Sequence, residues 1–373
     1  MKILHVGKFY SPIEGGIETI NRFIVGCLNG HSQRIVSFNN KKRSSEEDVG
    51  EGVVIRAASH GIFASQPISF KYYKELRRSI SMFKPDIVHL HYPNPLAAFY
   101  LLLIKKRFKL IVHWHSDVVA QKFLHKFISP IERHILKQAD AVIATSPNYI
   151  TASESLKSVR EKVIVIPCSI NEQGFDISEE DTLKIDKIKA KYSNKPIVLF
   201  VGRHVEYKGI EKLLMAERLV KSDCEFIIAG KGPLTEKLKD KYRSERIHWI
   251  GRIADEELKY YYNAASIFAF PSLTKNEAFG VVLAEAMYCN TPAVTFYIEG
   301  SGVNWVSINN ETGIEVPNGN VEEFAKAIDH LLNDEVLYQR FQKQARKRVI
   351  ELYSKDRVSS LYRDLYASMY TTH

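Results

Sequence analysis

Two glutamates, Glu277 and Glu285, stand eight positions apart in "NEAFGVVLAEA", residues 276–286, with Gly280 between them. The stretch follows "SIFAFPS", which reads as a strand ending near Phe270, with Pro271 and Ser272 opening a loop. A helix starting near Phe279 places unpaired N–H groups and the positive end of its dipole around Gly280, and that is a site for an anion. A glycine there lets the backbone approach the anion closely. Eight residues of helical rise span about 12 Å, on the scale of a diphosphate-bridged molecule. Each carboxylate oxygen accepts hydrogen bonds from hydroxyls. The spacing therefore fits a nucleotide-sugar, with Glu277 on the sugar, the helix start on the diphosphate and Glu285 on the ribose. The plain alternative is a capping acid followed by a surface glutamate.

Three further stretches carry chemistry. "VGRHVEYKG", residues 201–209, follows a strong strand. Arg203 and Lys208 project from its loop, where two cations neutralise a diphosphate and stabilise it as a leaving group. "PIEGGIETI", residues 12–20, sets Gly15 and Gly16 between the first strand and a helix. A diglycine there admits phosphate or sugar to the backbone, and it matches neither a dinucleotide fingerprint nor a P-loop. "IVHWHSD" and "VHLH" are two H-x-H pairs, and period-2 alternation sets His113 with His115, and His89 with His91, on one strand face. A metal is the obvious thought, but neither a carboxylate-flanked ligand set nor H-E-x-x-H is present, so none is expected. One histidine of each pair reads as structural. His115, with Asp117 two residues on, is the better sugar contact, and His113 and Asp117 are candidates for the acceptor.

The elements that must position these residues are legible as an alternation. "MKILHVG", "SQRIVSF", "DIVHLH", "KLIVHWH", "DAVIATS" and "KVIVIP" read as strands, with helical stretches such as "GIETINRFIVGCLN" and "KYYKELRRSISMF" between them. That pattern predicts a parallel sheet covered by helices. It pauses at a polar stretch, with Cys168 to about Asp176 as linker. A second series follows: "IVLFVG", "EFIIAG", "RIHWIG", "SIFAFPS", "PAVTF" and "TGIEVP". A chain of 373 residues exceeds one ordinary core, and two α/β series predict two doubly wound domains. Ligands in such folds bind outside the carboxyl ends of the strands, here in the cleft between the domains.

Composition excludes other classes. The four cysteines are scattered without a C-x-x-C pair, which suits a reducing compartment and not a disulfide or thiolate-zinc framework. "MKILHVGKFY" has too short an apolar stretch for a signal peptide, and "PLAAFYLLLI" is about half a bilayer span. The chain is expected in the cytoplasm. Its net charge of +9 is spread over helical segments such as "KYYKELRR" and "EKLKDKYR", so solvated faces account for it better than a nucleic-acid patch.

Taken together and in this order, "GGIE", "HWHSD", "GRHVEYKG" and "EAFGVVLAE" resemble a retaining glycosyltransferase of the GT-B fold, family 4 type. The resemblance covers essentially the whole chain, and residues 113–149 are especially similar to bacterial members that build surface polysaccharides. It implies an α/β protein of two doubly wound, Rossmann-like domains facing across a cleft. Residues 1–170 would bind the acceptor and 171–350 the nucleotide-sugar, and the C-terminal helix, 351–373, would cross back to the first domain. It implies that Arg203 and Lys208, after Gly202, bind the donor diphosphate and that Glu285 holds the ribose. Glu277 would contact the donor sugar beside Ala278, Phe279, Gly280 and Val281. The base would lie against Gly251, Arg252 and Ile253, with Gly15 and Gly16 near the donor and His115 bonded to its sugar. No divalent metal and no other cofactor is implied.

The implied donor is GDP-mannose, with UDP-glucose, UDP-galactose and UDP-N-acetylglucosamine as alternatives. The implied acceptor is a lipid-linked oligosaccharide at the inner face of a bacterial membrane, in O-antigen, capsule or exopolysaccharide synthesis beside other assembly enzymes. "KYYKELRR", "LLLIKKRFK" and "QKFLHKF" are the segments that would meet anionic lipid. A sugar-nucleotide epimerase on the same architecture and a nucleic-acid-binding protein are the rival readings, and no motif supports the second.

Overall fold

The structure is a computed structural model and describes residues 1–13, 15–63, 66–117 and 122–371, with the side chains of 62, 63 and 122–127 excepted. The expected membrane segment "QKFLHKF" falls outside the described side chains. The chain divides into two compact units, residues 1–166 with 359–373, and residues 167–358.

The first unit contains β1 (Lys2–Val6), β2 (Ser32–Asn39), β3 (Ser45–Asp48), β4 (Val53–Ala58), β5 (Ile62–Phe63), β6 (Gln66–Pro67), β7 (Ile87–Tyr92), β8 (Lys109–Trp114), β9 (Ala141–Ala144) and β10 (Val163–Val165). Eight of these form one sheet in the order β10-β9-β8-β7-β1-β2-β4-β3. Every pairing in it is parallel except β3 with β4. A parallel sheet is covered on both faces, and its strands read as near-continuous apolar runs; all six residues of β7 are buried accordingly. The order reverses at β1, which lies between β2 and β7. Register sets His5 opposite His89, and His91 opposite His113.

Helices Gly16–Cys27, Phe70–Phe83 and Pro95–Leu102 return the chain between strands. Ser69 and Asn94 cap the last two by accepting from Tyr72 N–H and Ala97 N–H, which satisfies donors a helix start otherwise leaves orphaned. Stacked pairs Phe38–Tyr72 and Tyr92–Trp114 fill the core on either side of the sheet's centre.

The second unit holds β11 (Ile197–Val201), β12 (Glu225–Ala229), β13 (Ile247–Gly251), β14 (Ile267–Phe270), β15 (Ala293–Phe296) and β16 (Gly313–Val316). Its order is β13-β12-β11-β14-β15-β16, all parallel. This is the doubly wound order, with the switch point between β11 and β14. Helices follow β11 to β14 in turn: Ile210–Glu217, Thr235–Lys241, Leu258–Ala264 and Val281–Tyr288. Val198, Phe200, Leu213, Leu214, Phe226 and Ile267 lie in its core.

Three details differ from the sequence reading. The stretch from Cys168 to Asp176, read as the linker, lies within the second unit: it holds a 3-10 turn, Glu172–Phe175, and Asp176 accepts from the Tyr288 hydroxyl at 2.8 Å. The helix after β14 begins at Val281 rather than near Phe279, because Gly280 adopts the left-handed conformation and ends the loop. The return begins at Ser359 rather than residue 351: helix Glu335–Tyr353 stays in the second unit, Ser354 breaks it with extended backbone, and helix Lys355–Thr371 then enters the first unit. Among the described residues no helix is long and apolar enough to cross a membrane.

Candidate active site

The loops after β11 and β14 meet at the switch point of the second unit. Gly209, at φ +63, lies so close to the second loop that a Cβ would fall 1.9 Å from the Pro271 carbonyl oxygen. Leu273 N–H donates to the Tyr207 carbonyl at 2.8 Å and ties the two loops again. This approach puts Lys208 and Glu277 together: the ammonium and a carboxylate oxygen form an ion pair, with side chains only 11% and 13% exposed. Ser272 donates to the same oxygen at 3.3 Å, and Ser301 donates to the Glu277 carbonyl. The ammonium also sits 5.3 Å from the centre of the Phe270 ring.

The sequence reading gave Lys208 and Glu277 separate partners; the structure joins them. A dianionic diphosphate at Lys208 would compete with Glu277 for the ammonium and leave the carboxylate able to accept from hydroxyls. Arg203 is exposed on the same loop. Its loop is anchored by His204, buried, with Nδ1 2.8 Å from the Thr235 hydroxyl.

Gly280 caps helix Val281–Tyr288 at φ +87, and no side chain caps that helix. A Cβ on Gly280 would lie 3.1 Å from the Phe270 ring. The helix start therefore offers backbone N–H groups and a positive dipole end beside the Lys208 loop. Ala278 and Val281 are partly accessible, whereas Phe279 turns inward, edge-on to Tyr353 at 5.3 Å. The Phe279 side chain is thus closed to any ligand, and only its backbone faces the loop.

Glu285, one turn further along, accepts from the buried Tyr262 hydroxyl at 3.0 Å. Burial pushes its carboxyl up to about 7, Asp255 adds to the rise, and the tyrosine bond partly opposes it. At neutral pH it is poised to gain from hydroxyl donors that stabilise the ionised form. Gly251 ends β13 at φ +75, with Arg252 exposed and Ile253 buried, on the same rim two strands from β11. Gly202 follows β11 directly and is partly accessible.

In the first unit, His115 follows β8, held by its N–H to the Tyr92 carbonyl at 2.9 Å. Its Nε2 lies 3.0 Å from Nδ1 of His91. Burial holds the ring near a pKa of about 3, so it is neutral and serves as a hydrogen-bonding group, not a proton store. Gly15 is the N-cap of helix Gly16–Cys27 and Gly16 its first residue; a Cβ on Gly16 would meet nothing within 4 Å.

The two acceptor candidates are corrected. His113 is 1% exposed and stacks on His115 at 3.9 Å between ring centres, so it faces the interior. Asp117 accepts from the Trp114 indole at 3.0 Å and from Ser153 at 2.7 Å, and its N–H meets the Tyr149 hydroxyl. It braces the end of β8 and is not free for an acceptor. The sequence reading missed Ser272, which reaches Glu277 across its own loop, and Ser301 and Tyr262, whose contacts are more than twenty residues away in the chain. It also missed His5, whose only signal was its place in "KILHV".

Residues 15–173 match the family described as Glycosyltransferase Family 4, and residues 181–348 match Glycosyl transferases group 1. The chain is 28% identical over 375 residues to the O-antigen chain mannosyltransferase C of Escherichia coli, with 99% of each chain covered. It is 29% identical to the D-rhamnosyltransferase WbpZ of Pseudomonas aeruginosa, covering 88% of this chain and 86% of that one. The sucrose-phosphate synthase of Thermosynechococcus elongatus shares the fold over the full length of both chains, with a TM-score of 0.80 at 21% identity.

Proposed function

The chain belongs to the family 4 glycosyltransferases of the GT-B fold, and from that premise we propose that it transfers a hexose with retention of configuration, mannose from GDP-mannose, to a lipid-linked oligosaccharide in O-antigen, capsule or exopolysaccharide synthesis. The observation that supports the donor reading best is the Lys208–Glu277 pair at the switch point, beside a helix start that no side chain caps. In this reading Arg203, Lys208 and the N–H groups around Gly280 hold the diphosphate, Glu285 the ribose, and Glu277 the sugar hydroxyls. Gly251 to Ile253 would flank the base.

The bond from the anomeric carbon to the diphosphate oxygen breaks with its electron pair leaving on that oxygen. The two cations and the helix dipole stabilise the departing charge. The acceptor hydroxyl forms the new bond on the same face, and its proton passes to the leaving oxygen. His115 hydrogen-bonds the transferred sugar. No metal ion enters this scheme. Helix Phe70–Phe83 exposes Phe70, Lys74, Arg77 and Met82, and this face would rest on the anionic inner surface of the membrane.

A second donor is favoured by the D-rhamnosyltransferase relative: a GDP-linked 6-deoxy sugar of the mannose series. Melting the chain against GDP-mannose, its 6-deoxy analogue and UDP-glucose separates the readings, because a ligand that binds the native state raises the midpoint. The GDP-sugars are expected to raise it and UDP-glucose not. The reverse pattern overturns the GDP reading, and an inverted product linkage overturns retention.

A further inference from the structure

Five histidines from three adjacent parallel strands converge in the first unit: His5 on β1, His89 and His91 on β7, His113 on β8 and His115 just past it. His5 is opposite His89 and His91 opposite His113, so alternation along each strand sends all five to one sheet face. His89 and His91 stack at 4.6 Å between ring centres, and His5 lies 5.7 Å from His89 and 6.4 Å from His91. His5 and His89 are fully buried and His91 is 1% exposed. In the sequence the two H-x-H pairs suggested a metal, and the lack of a carboxylate-flanked set or H-E-x-x-H argued against it; register and His5 turn the pairs into a cluster.

Each of His5, His89 and His91 has one ring nitrogen engaged and one without a hydrogen-bond partner among the described residues. Gln33 fixes the first. Its amide nitrogen donates to the carbonyls of Val25, Leu28 and Glu51, which leaves its oxygen facing His5 Nε2 at 3.1 Å. An amide oxygen only accepts, so Nε2 of His5 carries the proton. Burial lowers His5 to about 4, so the ring is neutral and its buried Nδ1 holds a bare lone pair.

His89 Nδ1 meets the Tyr366 hydroxyl at 2.5 Å, and His91 Nδ1 meets His115 Nε2 at 3.0 Å; Nε2 of both is unpartnered. Burial holds these two rings neutral as well. Potential ligand atoms of His5, His89 and His91 lie within 4.8 Å of one another. An imidazole with one nitrogen open and the other held by an amide, a hydroxyl or a second imidazole is how histidine ligands are oriented on a metal.

We propose that His5 Nδ1, His89 Nε2 and His91 Nε2 bind one divalent transition-metal ion of the zinc class, with water or hydroxide as fourth ligand. Three neutral imidazoles without a carboxylate suit zinc, copper or nickel and exclude calcium and magnesium. A second trio, His91, His113 and His115, also lies within 4.8 Å. It is disfavoured because neither ring nitrogen of His113 has a hydrogen-bond partner among the described residues, so nothing orients that ring as a ligand. Ligation at His91 Nε2 puts its proton on Nδ1, which then donates to His115 and leaves His115 protonated at Nδ1. The ion's role is thus to fix a tautomer and fasten β1 to β7, apart from the transfer chemistry.

The test uses the untagged full-length chain, stripped with chelator and dialysed against zinc without any sugar donor, so its outcome is independent of the transfer reading. Wild type is expected to retain one zinc per chain, His5→Gln and His89→Gln to lose it, and His113→Gln to keep it. Wild type loaded with cobalt(II) is expected to show the intense visible bands of tetrahedral coordination, a readout that does not depend on any variant folding. No zinc retained by wild type, retention undiminished in His5→Gln, loss in His113→Gln, or no cobalt bands would each overturn the proposal.

Discussion

Glu285 shows what a single side chain costs and supplies. Its carboxyl titrates near 7 in the fold, against 4.5 as the ordinary value. Between those values the native state binds more protons than the unfolded chain, so stability falls as pH rises through that window. Glu285→Gln removes the burden above pH 7, on the order of 1–3 kcal/mol. Its urea midpoint should exceed wild type at pH 8 and match it near pH 4, while its nucleotide affinity drops. In wild type the affinity itself should weaken as pH falls below about 7, because the protonated acid accepts fewer bonds; a flat binding profile from pH 5 to 8 refutes the ribose role. Lys208→Ala, and separately Arg203→Ala, should reduce kcat by on the order of 10²–10³, the usual loss when a charge-stabilising group is removed. Near-normal turnover in either removes that residue from the leaving-group assignment.

At the scale of elements, the site depends on two loops being pressed together. Gly209→Ala places a methyl against the Pro271 carbonyl. The left-handed strain alone costs about 1–3 kcal/mol, and displacement of the loop carries Lys208 away from Glu277. The expected result is a lower denaturation midpoint together with lost transfer, whereas Gly16→Ala, open on its Cβ side, should keep the midpoint. The strands of this rim were readable because parallel strands are apolar throughout, and "IVLFVG" and "SIFAFPS" can be little else. The exact helix start was not, since residues 278–282 fit a helix equally well until the left-handed Gly280 is seen. β3, "SEED", is exposed and polar, and only its pairing with β4 makes it a strand. Lys208 and Glu277 were each found in the sequence, but their union was not, because 69 residues separate them.

For the whole molecule, the division matters most. Arg203, Lys208, Glu277 and Glu285 all lie in the unit of residues 167–358, and His115 lies in the other. A chain ended at Val358 removes the buried Tyr362 and Tyr366 from the first unit, and with them the cover of His89. It should lose the first unit's cooperative melting and all transfer, yet still bind nucleotide; loss of nucleotide binding as well would show that the second unit does not stand alone. The tyrosines of "LYRDLYASMY" announced a buried helix face without saying which sheet it covers, since periodicity records amphipathicity and not destination.

That late return also orders events at the ribosome. The second unit is continuous, whereas the first takes its last piece from residues 359–373, made after the second unit. During synthesis the earlier-made sheet must wait, incompletely covered, while a complete neighbour is translated and folds. The half of the protein made first is therefore the half finished last, and nascent chains stalled before Ser359 are the ones most in need of a chaperone.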